Sequence, residues 1–125
     1  MRGTGRPWIA LAAASAFLAV AFGAFAAHGL TDPKAQEVMR TGSTYEMFHA
    51  LAILACVALT PVAPRARFAP PLFLAGAVLF SGSLYALALG APRLVGIATP
   101  FGGLCFLAGW AVLVWAALTA RATDA

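Results

Sequence analysis

Acidic side chains are scarce in this chain: four in 125 residues, against eight Lys and Arg. Charged residues together make up 10% of the sequence and hydrophobic ones 62%. A water-soluble domain draws about a quarter of its residues from Asp, Glu, Lys and Arg, so most of this surface must face lipid. The shortage of carboxylates also argues against a di-iron helix bundle, which takes several of them and two Glu-x-x-His motifs. Only Glu46-x-x-His49 is present. Cysteine is equally rare. Cys56 and Cys105 both lie inside apolar runs, without C-x-x-C spacing or a disulfide framework, and read as small packing residues. The net charge of +4 is spread over short connections without a basic cluster, so no nucleic-acid partner is expected. No Ser, His and acid set accompanies a nucleophile-elbow motif, and the protein is expected not to be an enzyme. The period-two alternation of a membrane β-barrel is missing too.

Four apolar stretches are what the chain does contain. A transmembrane helix needs roughly 20 apolar residues to cross about 30 Å of hydrocarbon. Trp8 to Ala27 meets this without a charge; Met47 to about Ala63 is shorter and carries His49. Pro71 to Leu89 is charge-free, and Leu94 to Ala120 is interrupted by Pro100. Backbone groups in lipid must satisfy one another, so each stretch should be helical. The expected fold is an all-α membrane protein, a compact bundle of four transmembrane helices in a single domain over 1–125. Its spans are expected at approximately 8–27, 46–63, 71–89 and 100–120, with a polar outer connection over 28–44. Arg2 and Arg6 ahead of an apolar run ending in Ala24-Phe25-Ala26 imitate a secretory signal. The run of about 20 residues exceeds a signal core of about 7–15, so helix 1 is expected to be retained. With the N-terminus inside, Arg2, Arg6, Arg65, Arg67 and Arg121 are cytoplasmic, while Lys34, Arg40 and Arg93 are outside. Five against three favours cytoplasmic N- and C-termini.

Small residues recur at steps of three or four. Helix 1 carries Ser15, Ala19, Gly23 and Ala27, helix 3 carries Gly82, Ala86 and Gly90, and helix 4 carries Gly102, Cys105 and Gly109. Such strips let helix backbones approach closely, and helices 1 and 3 are expected to pack tightly. In the connection, Asp32-Pro33 is a cap and first-turn pair, which suggests a short interfacial helix over Pro33–Arg40 ending near Gly42. Ser43-x-x-Glu46 has the capping-box pattern that would open helix 2. Tyr45 and Trp8 suit the headgroup belt. Arg65 to Pro70 reads as a tight basic hairpin, and Thr99-Pro100 as the cap and first turn of helix 4.

Several of these residues carry a family resemblance. Gly23-Ala24-Phe25-Ala26-Ala27-His28-Gly29-Leu30, Tyr45-Glu46-Met47-Phe48-His49-Ala50-Leu51, Leu79-Phe80-Ser81-Gly82-Ser83-Leu84-Tyr85, Thr99-Pro100-Phe101-Gly102-Gly103 and Leu107-Ala108-Gly109-Trp110 follow one another in order. From Trp8 to Leu118 the chain resembles the YgdD-like small membrane proteins, the domain-of-unknown-function family 423 that includes the eukaryotic transmembrane protein 256 relatives. The resemblance implies four helices, retention of helix 1 and, for a bacterial member, the inner membrane. It implies no activity. Glu46 departs from the expected pattern, in which an uncharged glutamine follows the tyrosine.

His28, Glu46, His49, Ser81, Ser83, Tyr85 and Thr99 fall toward one face of the membrane and form a candidate polar pocket. Ionisable groups within spans are costly and mark functional candidates. Each also has a plainer role. His28 can cap helix 1, Glu46 can complete the capping box, and a Glu46–His49 bond can make the pair cheaper to bury. Tyr85 can anchor at the interface, and Ser81 and Ser83 can bond to their own helix carbonyls. Gly102-Gly103 offers backbone N–H groups to an anion or lipid headgroup, though helix packing accounts for them equally. Haem held by His28 and His49 is a weak third possibility, so no cofactor and no metal are expected. The expected partners are the lipid bilayer and either a membrane-protein partner or a second copy of the chain. The reading is a non-enzymatic accessory or assembly component with an outward-facing polar pocket. A small oligomeric proton-coupled transporter or channel is the alternative, opposed by the placement of Glu46 near a span end.

Overall fold

The computed structural model describes residues 5–122, so Arg2 of the charge count lies outside the described residues. Five α-helices form four spans. Helix α1 covers Gly5–His28 and α2 covers Pro33–Leu59. The third span, Pro64–Ala88, begins with a 3₁₀ turn over Pro64–Phe68. It continues as α3 (Ala69–Gly76), a π-helical turn over Ala77–Ser81, and α4 (Gly82–Ala88). A second 3₁₀ turn, Arg93–Ile97, leads into α5 (Ala98–Thr119). Among the described residues, all four spans are long and apolar enough to cross a membrane. The protein is an all-α bundle of four membrane-spanning helices.

The second span differs most from its expected bounds. Asp32 does cap a helix, its carboxylate accepting the Ala35 N–H at 2.9 Å with Pro33 in the first turn. That helix then runs on without a break to Leu59. Gly42 does not end it, because its missing side chain makes room for the Tyr85 ring, 2.9 Å from where a Cβ would stand. Nor does Ser43 cap a new helix. Its hydroxyl donates to the Ala19 carbonyl of α1 at 2.6 Å. The expected connection over 28–44 therefore shrinks to a link of four residues, tied down by the Gln36 side-chain amide on the Leu30 carbonyl at 2.6 Å. The charges of this stretch sit on the outside of α2, where Lys34 and Glu37 face each other at 3.9 Å, 77% and 70% exposed.

The helices pair as two hairpins. Antiparallel α1 and α2 make the longest contact, and α3 lies along α5. The expected tight packing of the first and third helices is not found. They meet at a few points, such as the stack of Phe22 on Tyr85 at 4.0 Å, because Gly82 and Gly90 face open space rather than a neighbour. Gly90 has a different use: its φ of 100° turns the chain after α4. The close approach involves other glycines. A Cβ on Gly102 would strike the Phe80 backbone, and one on Gly109 or Gly76 would enter the Phe73 or Phe106 ring. Those two rings, with Ala12, Ile53 and Cys56, form the main apolar core.

Gly102→Ala should therefore lower the melting temperature in detergent, with an overpacking cost of about 1–3 kcal/mol. Gly82→Ala should be neutral or stabilising by up to about 1 kcal/mol, since alanine is the better helix former. Equal behaviour of the two variants in a thermal unfolding assay would overturn this packing scheme.

Candidate functional site

Continuing α2 from Pro33 moves the chemistry. Glu46 is the fourteenth of 27 helix residues, half-way along α2 rather than near its end. Opposite it in α1 stands Ser15, also close to half-way along its helix. The Ser15 hydroxyl donates to Glu46 Oε2 at 2.8 Å, and the Tyr85 hydroxyl of α4 donates to Oε1 at 2.6 Å. Glu46 is 7% exposed. Its carboxyl group thus joins α1, α2 and the third span, each oxygen holding one hydroxyl, and the capping-box role is not taken up. Stacking on Phe22 fixes the direction of the Tyr85 side chain, and Gly42 gives it passage.

Three further hydroxyls are used in the same way, between this level and the Asp32 end of the bundle. Ser81, at the end of the π-helical turn, donates across to the Gly42 carbonyl of α2 at 2.7 Å. Ser83 bonds its own helix at the Phe80 carbonyl, 2.9 Å, and pairs with the Thr99 hydroxyl at 2.5 Å. Thr99 therefore links the third span to α5 from inside the helix instead of capping it.

His49 belongs to a different environment. It does not bond Glu46. Trp110 of α5 donates its Nε1–H to His49 Nε2 at 3.0 Å. An indole N–H can only donate, so Nε2 is the acceptor and the proton lies on Nδ1, which donates to the Tyr45 carbonyl at 2.7 Å. The ring is stacked on Phe106, centroids 3.6 Å apart and 10° from parallel, and is 5% exposed. It forms the floor of a lateral groove of about 790 Å³ between α2, the third span and α5. The walls are Tyr45, Phe48, Phe80, Pro100, Gly103, Leu104, Phe106, Leu107 and Trp110.

The expected single polar pocket thus resolves into two things. Glu46, Ser81, Ser83, Tyr85 and Thr99 are cross-links within the packing, and the open space lies beside them over His49, lined by apolar and aromatic residues. His28 joins neither; it is exposed at the end of α1. About fifteen helix residues in depth, or roughly 22 Å, separate it from the level of His49, so the two cannot share one haem. Among the described residues no three His, Cys, Asp or Glu come together, and Cys56 and Cys105 are free. Two residues central to this arrangement were not among the candidates for the site. Ser15 had been placed with the packing strip, though a lone hydroxyl in a charge-free run is itself a sign of an interhelical bond. Trp110 carries a donor that needs a partner in an apolar setting.

A four-helix membrane bundle with internal polar cross-links and a lateral apolar groove is the class that these features define. The family model described as "Protein of unknown function (DUF423)" matches residues 22–103, and the chain belongs to this family. It is 45% identical over 124 residues to the UPF0382 inner membrane protein YgdD of Escherichia coli K12, covering 92% of each chain. A UPF0382 membrane protein of Haemophilus influenzae is 44% identical over 119 residues, covering 91% of this chain and 95% of the relative. One from the yeast Schizosaccharomyces pombe is 41% identical over 113 residues, covering 83% and 95%. No solved structure matches.

Tyr85→Phe keeps the ring and removes one donor, leaving a buried oxygen of Glu46 underbonded. It should cost about 1–3 kcal/mol, and Ser15→Ala a similar amount. Glu46→Gln keeps an acceptor and adds a donor that either hydroxyl can take, so it should stay within about 1 kcal/mol of the parent. Thermal unfolding in a mild detergent measures all three. An unchanged Tyr85→Phe protein would show that this junction does not hold the bundle.

Proposed function

We propose that this protein is a non-enzymatic component of the bacterial inner membrane, an accessory or assembly module acting through its lateral surface. One observation carries the reading: the buried Glu46 and His49 have their side-chain oxygens and nitrogens engaged inside the protein. A catalytic group must aim free bonding capacity into a space that substrate can enter. Here Glu46 spends both oxygens on Ser15 and Tyr85, and His49 spends both nitrogens on Tyr45 and Trp110. These side chains serve architecture, and the surface left for recognition is the groove.

Transport by an oligomer is the second reading, and the position of Glu46 favours it. An acid half-way along a span is what a proton-coupled carrier requires, and Glu46 stands half-way along α2. Beyond His49, toward the Leu59 end of α2, the buried residues Ala50, Ala52, Ile53 and Cys56 supply no polar path. Purified protein in vesicles carrying a pH gradient and an internal pH dye separates the two readings. The accessory role predicts a decay rate equal to empty vesicles, whereas proton flux abolished by Glu46→Gln would establish transport.

The same proposal places both termini in the cytoplasm, on the bias of Arg6, Arg65, Arg67 and Arg121 over Lys34, Arg40 and Arg93. Single cysteines introduced at Arg67 and at Lys34, in a chain with its two native cysteines replaced by serine, should be labelled by an impermeant maleimide on intact spheroplasts only at Lys34. Labelling at Arg67 alone would reverse the orientation.

A further inference from the structure

The turn that joins the second and third spans carries two arginines that no acid among the described residues neutralises. Arg65 and Arg67 belong to the 3₁₀ turn over Pro64–Phe68, and both are exposed. Each guanidinium lies over an aromatic face, Arg65 on Trp115 of α5 at 4.9 Å and Arg67 on Phe68 at 4.5 Å. The two rings are neighbours with centroids 6.3 Å apart, so cation, ring, ring and cation form one row. Arg67 also donates to the Pro64 carbonyl at 3.4 Å. Of the acids among the described residues, Asp32 and Glu37 stand at the opposite end of α2. Glu46 is committed to Ser15 and Tyr85 half-way along it. Further arginines gather at the turn's end of the bundle. A Cβ on Gly5 would stand 3.0 Å from Val57 near the end of α2, which brings Arg6 to this side, and Arg121 follows α5 here.

The depth of this row follows from its own charges. An unpaired guanidinium is costly in hydrocarbon, and no charged residue stands between Glu46 and Arg65 or between Arg67 and Arg93. The turn therefore lies at the level of the lipid headgroups, where the abundant anion is a phosphate. Guanidinium N–H groups meet phosphate oxygens in pairs. A guanidinium already laid on a ring loses less freedom on binding than one loose in water. Next to the cations the surface is apolar: Phe68 and Trp115 are each 46% exposed. They offer contact to the glycerol and upper acyl carbons of a lipid, which a free phosphate lacks. Charge decides which lipid. A zwitterionic headgroup brings an ammonium of its own, and no acid among the described residues is at hand to receive it. We propose that Arg65 and Arg67, with Trp115 and Phe68, bind an anionic phospholipid. The phosphate of a phosphatidylglycerol accepts from the guanidinium N–H groups, and its chains lie against the two rings. The proposal goes beyond the accessory reading and depends neither on it nor on which way the termini face.

Native mass spectrometry of the full chain in mild detergent measures the first lipid bound. The probes are dioleoylphosphatidylglycerol and dioleoylphosphatidylethanolamine, each titrated separately. Phosphatidylglycerol should bind about fivefold more tightly, and Arg65→Gln or Arg67→Gln should each weaken it about fivefold, the worth of one basic residue at a membrane surface. Lys34→Gln combined with Arg93→Gln, at the opposite end, should leave binding unchanged. All four positions are exposed, so melting temperatures should match the parent. Arg65→Lys and Arg67→Lys keep the charge but give up the paired N–H groups and the flat stack, and should restore only part of the loss. Full affinity in both lysine variants, or an equal loss from the opposite-end pair, would overturn the site in favour of diffuse attraction between a basic protein and an anionic lipid. Equal affinity for the two lipids would overturn it as well. Excess glycerol 3-phosphate should not release the lipid, because it lacks the contact with Phe68 and Trp115. Release would make the ligand a soluble phosphate and sink the lipid site.

Discussion

A carboxyl group buried among four apolar spans has to be answered from within the bundle, and that requirement organises the structure. Glu46 receives the Ser15 hydroxyl from one side and the Tyr85 hydroxyl from the other. Both donors come from different spans, so the register of α1 against α2 and of α4 against both is set at one point. In hydrocarbon the association of helices gains little from burying apolar surface, because lipid is equally apolar. Directional bonds and close backbone contact must do more of the work. The remaining hydroxyl bonds, Ser43 to Ala19, Ser81 to Gly42 and Ser83 with Thr99, repeat the principle at successive levels.

Close contact supplies the other half. The third span and α5 approach at Gly102, where the Phe80 backbone occupies the place of a side chain. The π-helical turn over Ala77–Ser81 lies at this point. It lets neighbouring residues serve opposite partners: Phe80 rests against Gly102 of α5 while Ser81 reaches α2. A single such turn inside an α-helix often accompanies a site where side chains need unusual directions. Here it separates the polar junction from the aromatic groove over His49.

The presence of four helices was legible from apolar run length, and the polar residues that matter were nearly all visible as polar residues. Boundaries and partners were not. The stretch from Lys34 to Arg40 reads in sequence as a short interfacial helix of its own, yet it is the start of the long α2, its charges on the exposed side and its other side resting on α1. Hydropathy averages over the two sides and misses this. Ser43 and Glu46 have capping-box spacing, but the same two side chains found better partners across the bundle, which spacing within one segment cannot reveal. Gly82, Gly90 and Gly102 were alike as letters. Only the third has a backbone pressed against it, the second turns the chain with positive φ, and the first faces open space. The pairing of Trp110 with His49 spans 61 positions and follows from tertiary contact alone.

The four-residue link between α1 and α2 bears on how the chain enters the membrane. Protein synthesis runs from the N-terminus, so the first hairpin exists before Tyr85 has been made. When Glu46 first meets hydrocarbon, Ser15 is the donor already at its side, brought there by the short link and by the Asp32 cap that starts α2. The acid need never cross the bilayer alone. The second oxygen is answered only when the next hairpin arrives, which makes insertion of the first half a scaffold on which the second half is ordered.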